Sequence, residues 1–221
     1  MTTQATRTPE EHLRRADTAL GAVIDEVVRT GDRPTLAPDP TLAPDPNMPI
    51  DRYGVLVRAI VSQNISEIAS RSIYRRLIDR FGGSPPTPEE ILDEDPDELR
   101  TAVGLSRAKV ASLRSLAEHI VSSQLDLKRL HELSDEDVVA ELVPVKGIGT
   151  WTADIFLIFH LRRPDVLPVG DLGLRRAVER AYGLDSLPEP SMVEQIAEPW
   201  RPYRTLASLY LWRTVEATPQ V

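Results

Sequence analysis

The chain has 221 residues, no cysteine and a formal net charge of −8, with 41% hydrophobic and 5% aromatic residues. This length suffices for one sizeable core, or for two lobes that share one. Without cysteine there is no disulfide and no thiolate metal site, and no run of about 18 apolar residues predicts a membrane span. The N-terminus lacks the apolar segment of a secretory signal, so we expect a cytoplasmic globular protein.

The first fifty residues predict one helix between two irregular stretches. We expect residues 1–10 to be disordered and residues 11–29 to form an amphipathic helix, because apolar side chains recur there at helical spacing. Residues 35–40 read Thr-Leu-Ala-Pro-Asp-Pro and are repeated letter for letter at 41–46. Four prolines in this repeat exclude a helix and favour an extended connection.

Helices dominate the rest of the chain as well. Ser62-Gln63-Asn64-Ile65-Ser66 forms a polar break between two apolar helical patterns, and Gly104-Leu105-Ser106-Arg107-Ala108-Lys109 ends one helix and starts the next. No stretch alternates as a strand would, so the predicted fold class is all-α. The predicted helices cover 51–62, 66–81, 88–92, 96–103, 110–121, 134–142, 152–161, 174–182, 191–198 and a last one that ends at 215.

A glycine-rich segment between two of these helices is the most informative stretch. Residues 143–151, here called the hairpin, read Val-Pro-Val-Lys-Gly-Ile-Gly-Thr-Trp. Gly147 and Gly149 suit a tight turn with close backbone approach, and the following helix start offers free N–H groups to a phosphate oxygen. From the glycines alone, an ordinary corner between two helices remains the alternative.

The negative charge counts against a nucleic-acid partner, because phosphate binding usually requires a basic surface. Its distribution weakens that objection. Seven carboxylates fall within residues 89–98, whereas residues 146–176 hold five basic and three acidic side chains. A basic site on an acidic protein is therefore compatible with the sequence.

Several further motifs follow one another along the chain. They are Ile-Val-Ser-Gln-Asn-Ile-Ser at 60–66, Val-Lys-Gly-Ile-Gly-Thr-Trp-Thr-Ala at 145–153, Leu-Pro-Val-Gly-Asp-Leu-Gly at 167–173, Trp-Arg-Pro-Tyr-Arg at 200–204 and Tyr-Leu-Trp at 210–212. In this order they resemble the helix–hairpin–helix DNA glycosylases, most closely the short form of the 3-methyladenine DNA glycosylase II family. The resemblance covers about residues 50–214.

The resemblance implies a single two-lobed glycosylase domain over residues 11–221. One lobe, a helical barrel of about residues 51–165, would contain the hairpin. The other would combine about residues 11–50 with 166–221. The iron–sulfur cluster of the related endonuclease III branch is impossible here, because it requires cysteine ligands.

Asp171 is the candidate catalytic residue. Removal of a base from DNA is displacement at an anomeric carbon through an oxocarbenium-like sugar, which an ionised carboxylate stabilises while it guides water. Spacing alone leaves a helix N-cap and a catalyst equally open for Asp171. The resemblance implies the catalytic role, because the matching aspartate of the family is catalytic.

The remaining site residues follow from the resemblance. Trp151 and Trp212 match aromatic positions near the base pocket, where an electron-rich ring stacks on a cationic base. Core packing remains the alternative for both tryptophans. Bifunctional relatives carry a nucleophilic lysine where this chain has Trp151, so a Schiff base and strand cleavage are not expected. The expected DNA contacts come from Lys146, Gly147, Gly149, Thr150, Thr152, Gln63, Asn64, Arg107 and Lys109. Residues 62–66, here called the probing turn, match a turn that faces the DNA in the family; a plain helix end at Gln63 and an N-cap at Ser66 remain the alternative. For Arg107 and Lys109 a solvated helix start is an equally open reading.

The expected function is monofunctional excision of alkylated purines from damaged double-stranded DNA by base flipping, in base excision repair. Two alternatives stay open: a glycosylase of the same fold for deaminated or etheno bases, and a catalytically silent lesion-binding protein. We expect a monomer without a catalytic metal or other cofactor. The resemblance also suggests a monovalent cation between hairpin carbonyls and a DNA phosphate.

Overall fold

Every regular element in the computed structural model, which describes residues 8–34 and 51–215, is a helix. These ranges hold twelve α-helices, two short 3-10 helices at Leu130–Glu132 and Glu198–Trp200, and no strand, which confirms the all-α fold class. The α-helices are α1 Pro9–Ala16, α2 Thr18–Thr30, α3 Arg52–Ser62, α4 Glu67–Arg80, α5 Pro88–Asp93, α6 Pro96–Val103, α7 Arg107–Val121, α8 Asp135–Leu142, α9 Thr150–Phe159, α10 Leu172–Tyr182, α11 Pro190–Ala197 and α12 Arg204–Trp212.

The N-terminal region differs from its prediction at two points. The single helix expected over 11–29 is wrong, because Asp17 adopts an extended conformation (φ −150°) and caps α2 by accepting a hydrogen bond from the Leu20 N–H. Residues 8–10 do not fit the expected disorder, since Thr8 caps α1 in a capping box with Glu11. Residues 1–7 and the duplicated hexapeptide at 35–46 lie outside the described residues.

Local capping chemistry sets most of the other helix boundaries. Ser66, Ser106 and Ser134 each accept a backbone N–H in the first turn of the helix that follows. The helix after the hairpin and the next one each begin two residues earlier than expected, at Thr150 and Leu172. The second of these shifts follows from Asp171, which is the N-cap of α10.

The described elements belong to two compact units, divided at residue 156 inside α9. One unit contains α1, α2, the end of α9 and α10–α12. Its core includes the fully buried Trp200, whose indole N–H donates to Asp17 at 3.0 Å, and Tyr182 also donates to Asp17. Trp200 therefore belongs to the core of this unit.

The other unit contains α3–α8 and the start of α9. Its core is mainly aliphatic, with Leu56, Ile60, Tyr74, Leu77 and Leu113 each at most 1% exposed. Neither unit's described helices include one that is long and apolar enough to cross a membrane.

Candidate active site and nucleic-acid interface

Asp171 is a buried carboxylate at the start of a helix. Its side chain is 7% exposed, and its Oδ1 accepts the Leu174 N–H at 2.6 Å and the Trp212 indole N–H at 2.8 Å. Both donors fix the orientation of the carboxylate, which lies at the positive end of the α10 macrodipole. The same residue is thus a helix cap and a preorganised hydrogen-bond acceptor.

The loop that leads to Asp171 is fixed at its other end by the start of α12. The Thr205 hydroxyl donates to the Arg163 carbonyl at 2.7 Å and accepts the Val166 N–H at 2.9 Å. Arg204 forms a bidentate pair with Asp165, at 2.8 and 3.0 Å. Burial alone would raise the pKa of Asp165, but the hydrogen bonds and charge of Arg204 lower it below its ordinary value. The Trp-Arg-Pro-Tyr-Arg motif therefore supports the approach to Asp171.

Trp212 occupies the core of the same unit. Its ring is fully buried and stacks on Phe159, with centroids 6.2 Å apart and planes inclined by 19°. The sequence predicted a stacking surface for the extruded base at this position. In the structure the described contacts of Trp212 are with Phe159 and Asp171, so its visible role is to orient the carboxylate.

The hairpin presents polar backbone at the surface and apolar side chains to the core. Lys146, Gly147, Gly149 and Thr150 are exposed, whereas Val145 and Ile148 are at most 3% exposed. Gly147 has φ +85°, in the left-handed region, and a Cβ there would lie 2.2 Å from the Ser112 hydroxyl oxygen. Glycine is required at 147 by both the backbone conformation and the close approach of α7.

The probing turn is joined to the hairpin within the second unit. Gln63 Nε2 donates to the Gly147 carbonyl at 2.8 Å and lies 3.5 Å from the Thr152 hydroxyl. Asn64 is exposed and has φ +56°, and Ile65 is 37% exposed. The turn therefore displays Asn64 and Ile65 beside the exposed hairpin backbone, as a DNA-facing surface requires.

The other predicted DNA contacts have different settings. Arg107 is exposed at the first position of α7. Lys109 is half-buried, and its Nζ donates to the Val61 carbonyl at 2.6 Å, while burial lowers the pKa of the ammonium. Thr152 is 5% exposed, so its side chain belongs to the core. Of these three side chains only Arg107 projects into solvent without a described partner.

Two side chains in the first turns of α9 bear on chemistry. Trp151 is 38% exposed, which leaves part of its ring accessible for stacking. Burial, followed by the charge of Asp135, raises the pKa of Asp154 to about 7. Sequence reasoning missed Asp154 because an aspartate within a helix carries no local signal of burial.

No metal-ligating cluster of three or more His, Asp or Glu side chains is found among residues 8–34 and 51–215. Any cation at the hairpin would therefore be bound by backbone carbonyl oxygens, which are suitable ligands for a hard monovalent ion. The Gly147 carbonyl already accepts from Gln63, and the Val145 carbonyl accepts the Ile148 N–H at 3.0 Å.

A family model described as HhH-GPD superfamily base excision DNA repair protein matches residues 57–202, well over half of the chain. The chain belongs to this superfamily. The matched range includes the probing turn, the hairpin and Asp171.

Named relatives within the superfamily are similar over most of this chain. DNA-3-methyladenine glycosylase 1 of Schizosaccharomyces pombe is 39% identical over 164 residues, which cover 73% of this chain and 72% of the relative. A putative DNA-3-methyladenine glycosylase of Bacillus subtilis is 31% identical over 170 residues, 74% of this chain and 59% of the relative.

Solved structures agree with this assignment. The S. pombe 3-methyladenine DNA glycosylase in complex with abasic DNA has a TM-score of 0.76 at 32% identity, and the match covers 95% of this chain and 97% of that one. A DNA-3-methyladenine glycosidase from Bacillus halodurans has a TM-score of 0.74 at 32% identity, covering 97% and 92%. The helix–hairpin–helix glycosylase fold expected from the motifs is confirmed.

Proposed function

We propose that this protein is a monofunctional DNA glycosylase that excises alkylated purines of the 3-methyladenine and 7-methylguanine type from duplex DNA. The observation that carries the proposal is Asp171, a buried carboxylate held by a helix N-terminus and by an indole N–H. It lies in a chain whose relatives are named 3-methyladenine glycosylases. Damaged DNA is then the partner, and the protein acts as a cytoplasmic monomer.

In the proposed mechanism the alkylated base leaves as the sugar acquires oxocarbenium character. Asp171 stabilises that developing positive charge and positions the attacking water. N3- and N7-alkylated purines are cationic and leave with little acid assistance, which suits a site built on one carboxylate. The exposed Trp151 ring would stack on the cationic base, because π-faces attract cations.

Backbone groups would hold the DNA while the base is outside the helix. Gly149 and Thr150 are exposed at the start of α9, where backbone N–H groups lack helical acceptors and would bind a phosphate. A monovalent cation on the hairpin carbonyls would neutralise part of the phosphate charge. The amine needed for a Schiff base is absent at Trp151, so the product is an intact strand with an abasic site.

The test is release of free base from duplex DNA under single-turnover conditions, with a panel of N7-methylguanine, 3-methyladenine, hypoxanthine and ethenoadenine. The proposal predicts release of the two methylated bases, and strand scission only after alkali treatment. Release confined to hypoxanthine or ethenoadenine would contradict the substrate class. Lesion-specific binding without any release would contradict catalysis and support the silent-binder alternative. Borohydride trapping of a protein–DNA adduct would contradict the monofunctional assignment.

A further inference from the structure

The side chain of Lys109 is joined to the end of α3 and does not project from the surface. Its Nζ donates to the Val61 carbonyl at 2.6 Å, within the last turn of α3, where carbonyls lack helical N–H partners. A cation is also favourable at this helix end because the macrodipole is negative there. The ammonium is partly buried, and this burial lowers its pKa. The probing turn begins at the next residue.

The same helix that carries Lys109 also supports the hairpin. Three and six residues further along α7, Ser112 packs against Gly147 so closely that no Cβ fits, and the Ser115 hydroxyl accepts the Lys146 N–H at 3.1 Å. The spacing of three residues places these side chains on one side of the helix. This side of α7 therefore contacts both exposed loops of the unit.

A hydrogen bond also joins the two loops directly, because Gln63 of the probing turn donates to the Gly147 carbonyl of the hairpin. Ser62 adds a further bond, with its hydroxyl 2.6 Å from the Ser70 hydroxyl. The left-handed backbone at Asn64 (φ +56°) is thus held from both sides. A turn fixed in this way needs no ordering when it meets DNA, which favours the reacting geometry.

We propose that Lys109 is a positioning residue that acts through the probing turn, and that the Lys109–Ser112–Ser115 side of α7 sets that turn and the hairpin at a fixed separation. Lys109 is then not a phosphate ligand, although its motif and charge suggested one. The proposal rests on the proposed glycosylase function for its kinetic readout only.

The first test compares Lys109→Met with wild type, because methionine keeps the aliphatic stem and removes the donor. If Lys109 positions the turn, single-turnover excision falls by about 10- to 100-fold. The slope of log affinity for undamaged duplex against log salt stays unchanged. A phosphate ligand would instead lower that slope by about 1, which would overturn the proposal. An unchanged excision rate would overturn it as well.

The second test separates positioning from general damage to the fold. In an Asn64→Gly background, the Lys109→Met effect on excision should shrink, because both changes act on one turn. Fully additive effects would overturn the proposal. All rates are measured where circular dichroism shows folded protein. If Lys109→Met does not fold, Ser115→Ala, which removes only the acceptor for the Lys146 N–H, must show the same slope and coupling to Asn64.

A third readout does not depend on catalysis. With 2-aminopurine opposite a tetrahydrofuran abasic site, wild-type binding should change the fluorescence as the turn meets the stack, and Lys109→Met should reduce that change at saturating protein. An equal change in both proteins would overturn the proposal. If wild type releases no base from any lesion, the proposed function fails, and this fluorescence still decides the role of Lys109.

Discussion

Replacement of Gly147 by alanine should destabilise the protein for two separate reasons, backbone strain and steric overlap. The residue has φ +85°, where a non-glycine residue costs about 1–2 kcal/mol. The new Cβ would also lie 2.2 Å from the Ser112 Oγ and 2.9 Å from its Cβ. Overpacking of this kind costs about 1–3 kcal/mol. We therefore expect a loss of about 2–5 kcal/mol, which lowers Tm by about 4–20 °C for a chain of this size.

Gly149 provides the matched control two residues away. A Cβ at Gly149 meets nothing within 4 Å, and its φ lies outside the left-handed region. Gly149→Ala should therefore leave Tm within about 2 °C of wild type, because neither defect arises. Thermal unfolding followed by circular dichroism measures both variants. An unchanged Tm for Gly147→Ala, or an equal loss for Gly149→Ala, would refute the reasoning.

A compensating change at Ser112 tests the steric part alone. Ser112→Gly in the Gly147→Ala background removes both close contacts and leaves the backbone strain. The two changes should therefore couple favourably by about 1–3 kcal/mol in a double-mutant cycle. Absence of coupling would show that α7 does not restrict the hairpin as the structure indicates.

Three further substitutions test other parts of the account. Asp154→Asn should stabilise the protein above pH 7 by about 1–2 kcal/mol. The folded-state pKa of Asp154 is raised to about 7, so the wild type loses stability as the pH rises from about 4 to 7. Urea unfolding at pH 5 and pH 8 tests this, and an equal change in the free energy of unfolding of the two proteins would contradict it. Trp212→Phe keeps a ring that can stack on Phe159 but removes the hydrogen-bond donor to Asp171, so base excision should slow by about 10- to 100-fold. An unchanged rate would show that the indole N–H does not orient the carboxylate. Asp17→Ala removes the α2 cap and the acceptor for the Trp200 N–H, so the free energy of unfolding in urea should fall by about 2–4 kcal/mol. Asp17→Asn should lower it by less, and equal losses for the two variants would contradict the role of Asp17 as both helix cap and acceptor.

Features with a local cause could be read from the sequence. The helix starts after Ser66, Ser106 and Ser134 follow from side chains that cap their own first turns, and Pro88 and Pro96 occupy the first positions of α5 and α6 as predicted. The hairpin and Asp171 could be recognised because they lie in short sequence motifs that contain the turn glycines and the helix-capping aspartate.

Features with a distant cause could not be read in this way. The partners that bury Asp17 at the break between α1 and α2, Tyr182 and Trp200, lie 165 and 183 residues further along the chain. Lys109 was expected to contact phosphate, whereas in the structure it donates to a backbone carbonyl. Every residue has such a carbonyl, so the sequence does not identify this acceptor. The burial of Trp212 is likewise set by tertiary packing, which one aromatic letter does not specify.

The central claim is that the charge of Asp171 drives excision, and Asp171→Asn tests it most directly. Asparagine caps a helix as well as aspartate does and can still accept the Leu174 and Trp212 N–H groups, so the fold should be retained. Single-turnover release of N7-methylguanine is measured for wild type, Asp171→Asn and the exposed-site control Asp185→Asn. The account predicts rapid release by wild type and by the control. For Asp171→Asn it predicts no detectable release, with binding to abasic DNA retained. Turnover by Asp171→Asn at a rate near that of wild type would contradict it.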